Sequence, residues 1–108
     1  MNLPVHVLTN PFRLYDSRYT LPWETNEIRT INVGEYSAVF LNLTATEAQY
    51  DGYVTVWSAG RQPDTSNLNF QAYDVANTCW VPVTNRTINI FSSAPVDLIV
   101  DIQAVVPI

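Results

Sequence analysis

Lysine is absent from this 108-residue chain, and histidine and cysteine occur once each. Five arginines stand against ten acidic residues, so the net charge at neutral pH is −5. Binding to nucleic acid through phosphate neutralisation requires clustered Lys and Arg, and five scattered arginines do not supply it. An anionic membrane surface would repel the chain for the same reason. A single cysteine excludes an intramolecular disulfide, and one cysteine with one histidine excludes the usual zinc spacings. Cys79, in "NTCWVPV", is expected to be a small buried hydrophobe rather than a reactive thiol. Charged residues make up only 14%, against about 25% in an average soluble domain. Eleven Thr and ten Asn take their place, a composition suited to strands and turns and poorly suited to helices. No apolar run approaches the roughly 20 residues of a membrane-spanning helix. The start, "MNLPVHVLTNPF", has no basic segment, and Pro4, His6 and Asn10 interrupt its apolar character. If Met1 is the true start, the expectation is a chain folded without export by a classical signal.

What is present is material for one core. Hydrophobic residues are 47% and aromatics 12%, and the length suits one domain over 1–108, with residues 1–10 as a candidate N-terminal arm. Short runs of period-2 alternation recur about every ten residues: 5–8, 28–33, 37–45, 52–58, 66–70, 78–83, 87–92 and 96–106. Turn signals separate them: "TNPF", "NVGEY", "YDG", "AGRQPDTSN", "TNR" and "SSAP". The pattern predicts an all-β fold, a single antiparallel β-sandwich of about eight strands, either jelly-roll or immunoglobulin-like. Val39, Leu41 and Leu43 are expected inside, with Phe40, Asn42 and Thr44 outside. Val54 and Val56 oppose Tyr53, Thr55 and Trp57, and Leu98, Val100, Ile102 and Ala104 oppose Asp97, Ile99, Asp101 and Gln103. Pro82 marks its strand as an edge or a bulge. "ATEAQYD" (45–51) is the one candidate for a helical turn. The apolar termini either pair with each other as strands or dock on a neighbouring subunit.

Candidate chemistry is sparse. His6 alternates with Val5 and Val7, and no Ser or Cys is identifiable as its nucleophile, so a structural or surface role is expected. Asp97 and Asp101 share a strand face four residues apart. Their Cα atoms would lie about 13 Å apart, too far for the usual pair of hydrolytic carboxylates. "AQYDG" and "RQPDTSN" each carry a single carboxylate, short of a calcium loop. No metal or cofactor is therefore expected. The sequons at Asn42 and Asn85 are chance matches in so Asn- and Thr-rich a chain. Trp23, Trp57, Trp80 and Tyr53 are candidates for a subunit interface or for stacking on a glycan, with the interface preferred. The stretch "RLYDSR" sets Arg13 and Arg18 around Asp16. It is expected to be a structural clasp rather than a catalytic cluster. Asp16 would cap the turn. Arg13 or Arg18 would pair with a strand carboxylate, Asp101 or Asp97, and loss of one partner of such a pair, if buried, would weaken the fold.

Several segments carry a family resemblance. "RLYDSR" (13–18) resembles the R-L-L-D-T-R opening of a β-sandwich domain found in secreted and cell-surface proteins of actinobacteria. "AVFLNLTATEAQYDGYVTVWSAGRQPDTSNLNF" (38–70) is similar to that domain's central strands and its Pro-x-Thr-Ser-Asn-Leu-Asn turn, and "VDLIVDIQAVV" (96–106) to its closing strand. The closing Gly-Tyr-Phe of the family is replaced here by "AVVPI". A stand-alone copy without the usual export signal looks most like a virion protein of a phage that infects those bacteria. The resemblance implies no catalytic activity. It implies a structural protein decorating the capsid, bound to the major capsid protein or another virion protein, and a homo-oligomer, expected as a trimer. The alternative is a glycan- or cell-wall-binding module on a phage tail, or on a bacterial protein displayed at the cell surface or secreted.

Overall fold

The computed structural model describes residues 4–108 and contains eight strands: β1 (His6–Asp16), β2 (Glu27–Asn32), β3 (Tyr36–Thr46), β4 (Gly52–Trp57), β5 (Leu68–Phe70), β6 (Val75–Pro82), β7 (Thr87–Ser92) and β8 (Asp97–Pro107). Two four-stranded sheets run in the orders β1-β8-β3-β6 and β2-β7-β4-β5, and every pairing is antiparallel. Strand 1 pairs with 8, 2 with 7, 3 with 6 and 4 with 5. This is one long hairpin folded over on itself, the connectivity of a jelly roll. Only β4 and β5 are consecutive within a sheet, which excludes the immunoglobulin order. The β1–β8 pair joins the two ends of the described chain, with His6 opposite Val105 and Val7 opposite Ala104. Residues 1–3 of the expected arm lie outside the described residues.

Period-2 alternation puts one face of each sheet into the core. The first sheet contributes Val39, Leu41, Leu43, Leu98, Val100 and Ile102, and the second contributes Val54, Val56, Ile88, Ile90, Leu68 and Phe70, all buried. Each such side chain adds roughly 1.5–3 kcal/mol of burial free energy. Pro82 ends β6, an edge strand. Four expectations need correction. Ala104 is not part of the inner row: Gln103 is skipped by the partner strands, so the inward phase passes from Ile102 to Val105, and Ala104 pairs outward with Phe40. Thr55 points outward as expected, yet it is fully buried, because the 58–67 connection lies over it. "ATEAQYD" makes no helix; Ala45 and Thr46 continue β3, and Glu47 takes φ 59°. The short helix is instead a 3₁₀ turn at Ser17–Tyr19. "TNPF" makes no free turn but falls where β1 leaves its register with β8, between Val7 and Phe12.

Gly52 opens β4 directly opposite Phe70. A Cβ at this position would run into Phe70 Cζ and lie 2.9 Å from Phe70 Cε1, and that ring is 2% exposed, with no room to retreat. Gly52→Ala is therefore expected to cost about 1–3 kcal/mol through overpacking. Thermal melting should fall by roughly 4–8 °C for each kcal/mol lost. An unchanged melting temperature would show that this contact does not limit the core.

Candidate functional site

The "RLYDSR" stretch lies where β1 passes into the 3₁₀ turn. Asp16 ends the strand with extended backbone, and its side chain accepts the Arg18 backbone N–H at 3.1 Å. The same carboxylate accepts Arg18 Nε at 3.0 Å, Arg18 Nη2 at 2.7 Å and Arg13 Nη1 at 3.2 Å. Arg13 also donates from Nε to Asp101 Oδ1 at 2.6 Å, across the β1–β8 register. The Asp16 side chain is 2% exposed, but those of Arg13 and Arg18 are 51% and 46% exposed. The clasp is thus a buried carboxylate held by two solvated cations, not a buried ion pair, and the Arg13–Asp101 link is weakened by solvent and salt. Arg18 is bound to neither Asp97 nor Asp101; its partner is Asp16. Asp97 is held by no arginine; it accepts Ser17 Oγ at 2.8 Å, and the same hydroxyl accepts the Leu98 N–H at 2.9 Å. Ser17 is fully buried, so this dry tie joins the turn to β8.

The most enclosed arginine was not anticipated. Arg29 on β2 donates to Glu27 Oε2 at 2.8 Å, to Leu21 O at 2.7 Å and to Pro22 O at 2.7 Å. Its guanidinium lies 4.1 Å from the ring centroid of Trp23. Trp23 is fully buried. It donates Nε1–H to Ile90 O at 3.1 Å, exchanges backbone hydrogen bonds with Val96 and meets Tyr15 edge-on at 5.6 Å. Trp23 is therefore a core residue and leaves the set of candidate glycan or interface aromatics. The spacing of Arg29 from "LPW" carries no sequence signal, because the loop carbonyls it ties become neighbours only after β2 folds back. Ser17 had a weak signal: a hydroxyl residue follows Asp16 in the motif.

The remaining aromatics divide between two outer faces. On the first sheet, the register places Val7, Ala104, Phe40 and Trp80 in one row across all four strands. Val106, Ala38 and Pro82 form the next row. Trp80 is 46% exposed and leans on Phe40 at 4.9 Å, and Val7 is 79% exposed. Neither row holds a charge. Beside them lie the polar positions Asn42 and Thr78, and then the Arg13–Asp101 pair. On the second sheet, Tyr53 stands exposed with Phe91 beside it at 5.7 Å. Trp57 is half-buried and donates Nε1–H to Gly60 O at 3.2 Å.

The chemical candidates have plain places. His6 is exposed on the edge strand β1. Cys79 is half-buried against the core, and burial raises its thiol above the ordinary value. Asp97 and Asp101 are each engaged by a neighbour, Ser17 and Arg13. Among the described residues, no three His, Cys, Asp or Glu side chains converge as metal ligands. Comparison with known protein families and with curated proteins finds no match for this chain.

Two outcomes follow from these ties. Arg29→Ala should cost about 2 kcal/mol, through lost hydrogen bonds from a charged donor and a lost cation–π contact. Arg29→Lys should recover little of it, because an ammonium cannot serve the same fork of acceptors. Full recovery in thermal melts would overturn this role. The hydrogen bond from Arg18 holds the Asp16 carboxyl below its ordinary 3.8, and that from Arg29 holds Glu27 below 4.5. Both groups titrate lower folded than unfolded, so their stabilisation is complete above those ordinary values and is lost as pH falls through the folded ones. Melting from neutral pH to about pH 3 should show that loss, and Asp16→Asn should flatten part of it. A variant with the same acid slope as the parent would contradict the assignment.

Proposed function

We propose that this chain is a non-enzymatic virion structural protein, a decoration protein that sits on the capsid of an actinobacterial phage. The observation that carries the proposal is the pair of uncharged rows on the outer face of the first sheet, with Val7, Phe40 and Trp80 in one and Ala38, Val106 and Pro82 in the next. Depletion of charge and an exposed aromatic anchor mark the centre of a protein interface, and a contiguous apolar patch of this kind marks an interaction surface. The resemblance to an actinobacterial surface domain points to the biological setting. The jelly roll adds an analogy of fold, since viral capsid and lectin domains both use it. In this reading the partner is the major capsid protein, or another virion protein, and the chain is made in the host cytoplasm and assembled there. Decoration proteins commonly cap local three-fold positions, and a trimer is the assembly proposed here. The exposed backbone of edge strands β1 and β6 offers further main-chain pairing. The acidic balance of −5 keeps the particle surface soluble.

A second reading, a glycan- or cell-wall-binding module of a phage tail or of a bacterial surface or secreted protein, is favoured by Tyr53. That residue is exposed and flanked by the Phe91 ring. Without Trp23, it is more exposed than Trp57, the other candidate aromatic outside the apolar rows.

Purified protein added to capsids that lack it should bind at a fixed copy number per capsomer. Trp80→Asp should weaken that binding by about thirtyfold, the loss of a hot spot worth about 2 kcal/mol, while melting stays near the parent value. No addition at any salt concentration would sink the proposal. So would a Trp80→Asp protein that decorates as well as the parent.

A further inference from the structure

The cleft under the β4–β5 connection has the construction of a ligand site. The connection folds back over the outer face of the second sheet and is tied down along its length. Thr55 Oγ1 donates to Thr65 O at 2.7 Å, the Val56 N–H to Asn67 Oδ1 at 2.8 Å, and the Asn67 N–H to Val54 O at 2.8 Å. Trp57 Nε1–H holds Gly60 O at the far end. Between this ledge and the sheet lies a cleft of about 350 Å³, lined by Tyr53, Gln62, Asp64, Thr65, Ser66 and Asn69. That size is at the small end of ligand clefts, about 300–1,000 Å³.

We infer that this cleft binds a neutral sugar ring of a glycan, stacked on Tyr53 and hydrogen-bonded by Asn69, Gln62, Asp64 and Ser66. Tyr53 lies opposite Asn69 in the β4–β5 register, so an amide stands next to the ring. Phe91, itself 8% exposed, flanks the ring at 5.7 Å on the same sheet face, and Tyr53 stays 41% exposed. An aromatic face carries negative charge at its centre and favours the polarised C–H face of a pyranose. The amides donate and accept, the hydroxyl does both, and the carboxylate accepts, a set matched to sugar hydroxyls. No basic side chain lines the cleft, and Asp64 would repel a phosphate or an acidic sugar. This inference rests on the second reading above, and it lies on the opposite sheet from the face proposed to seat on a capsid.

The test is a titration of the full chain, followed residue by residue by amide NMR, with cellobiose, maltose and N,N′-diacetylchitobiose, and with inorganic phosphate as the charged comparison. The expected result is saturable shifts at Tyr53, Asp64, Ser66 and Asn69 with at least one disaccharide. Tyr53→Ala should weaken that binding at least tenfold with an unchanged fold, and Tyr53→Phe should retain most of it, because stacking needs the ring and not the hydroxyl. Saturable shifts mapped to the Trp80 face would overturn the cleft and leave the glycan-binding reading standing. Saturable shifts in the cleft with phosphate alone would overturn the neutral-sugar assignment. A flat titration with every probe overturns the inference, and retention of the parent protein on isolated bacterial cell walls then decides the broader reading separately.

Discussion

The pairing of β3 with β8 is the constraint on which the rest of the structure depends. Both strands run eleven residues, and both lie inside the first sheet. One face of each supplies the inner rows Val39, Leu41, Leu43 and Leu98, Val100, Ile102. Because side chains alternate strictly, a slip of one residue would turn these rows into solvent and bring Phe40, Asn42, Asp101 and Thr44 inside. The register of the pair shifts twice, at Ser37 near the start of β3 and at Gln103, and the second shift changes which residues of β8 face the core. It moves Val105 inward opposite Val39 and turns Ala104 outward beneath Phe40, where a small residue lets the aromatic row of the outer face lie flat.

Around that pair the long hairpin closes in two ways. At one end, Ser17 and Asp16 tie the turn after β1 to β8 and to the two arginines. Next to it, across Tyr15, Arg29 pins the loop before β2 over Trp23, whose backbone pairs with Val96 and whose indole reaches Ile90. These polar ties add modestly to a fold whose stability comes mainly from dry packing. Their greater effect is to set where the irregular segments lie, since each ties a backbone group of a turn, loop or strand end to a side chain.

The same economy of charge links fold and function. A chain with 14% charged residues covers itself with Thr and Asn. It can therefore leave two uncharged rows on one sheet and, on the other, a polar cleft whose lining carries a single charge, Asp64. Such surfaces suit partners recognised by shape, stacking and hydrogen bonds, and suit phosphate-bearing ones badly. The capsid-docking face and the sugar cleft proposed here belong to different sheets, and the β4–β5 connection that roofs the cleft also borders Trp80 through Pro63.

Sequence alone was enough for the number and order of the strands, for most of the inner rows and for the edge position of β6, because alternation is a local property that each segment carries by itself, but it stopped β1 at residue 8 where the strand runs to Asp16. It was also enough to single out Arg13, Asp16, Arg18 and Asp101, since a carboxylate between two arginines needs partners wherever the chain places it. It left the jelly roll and the immunoglobulin order undivided, because alternation says which face is inside and nothing of which strands are neighbours. Tertiary structure decided that pairing, and with it everything that depends on contacts between distant segments. It sent Asp97 to Ser17 rather than to an arginine, put Arg29 over a buried Trp23, and laid the 58–67 connection across Thr55 to make a cleft beside Tyr53. Those residues carry the same side chains in any fold; only the closure of the two sheets brings them within hydrogen-bonding distance.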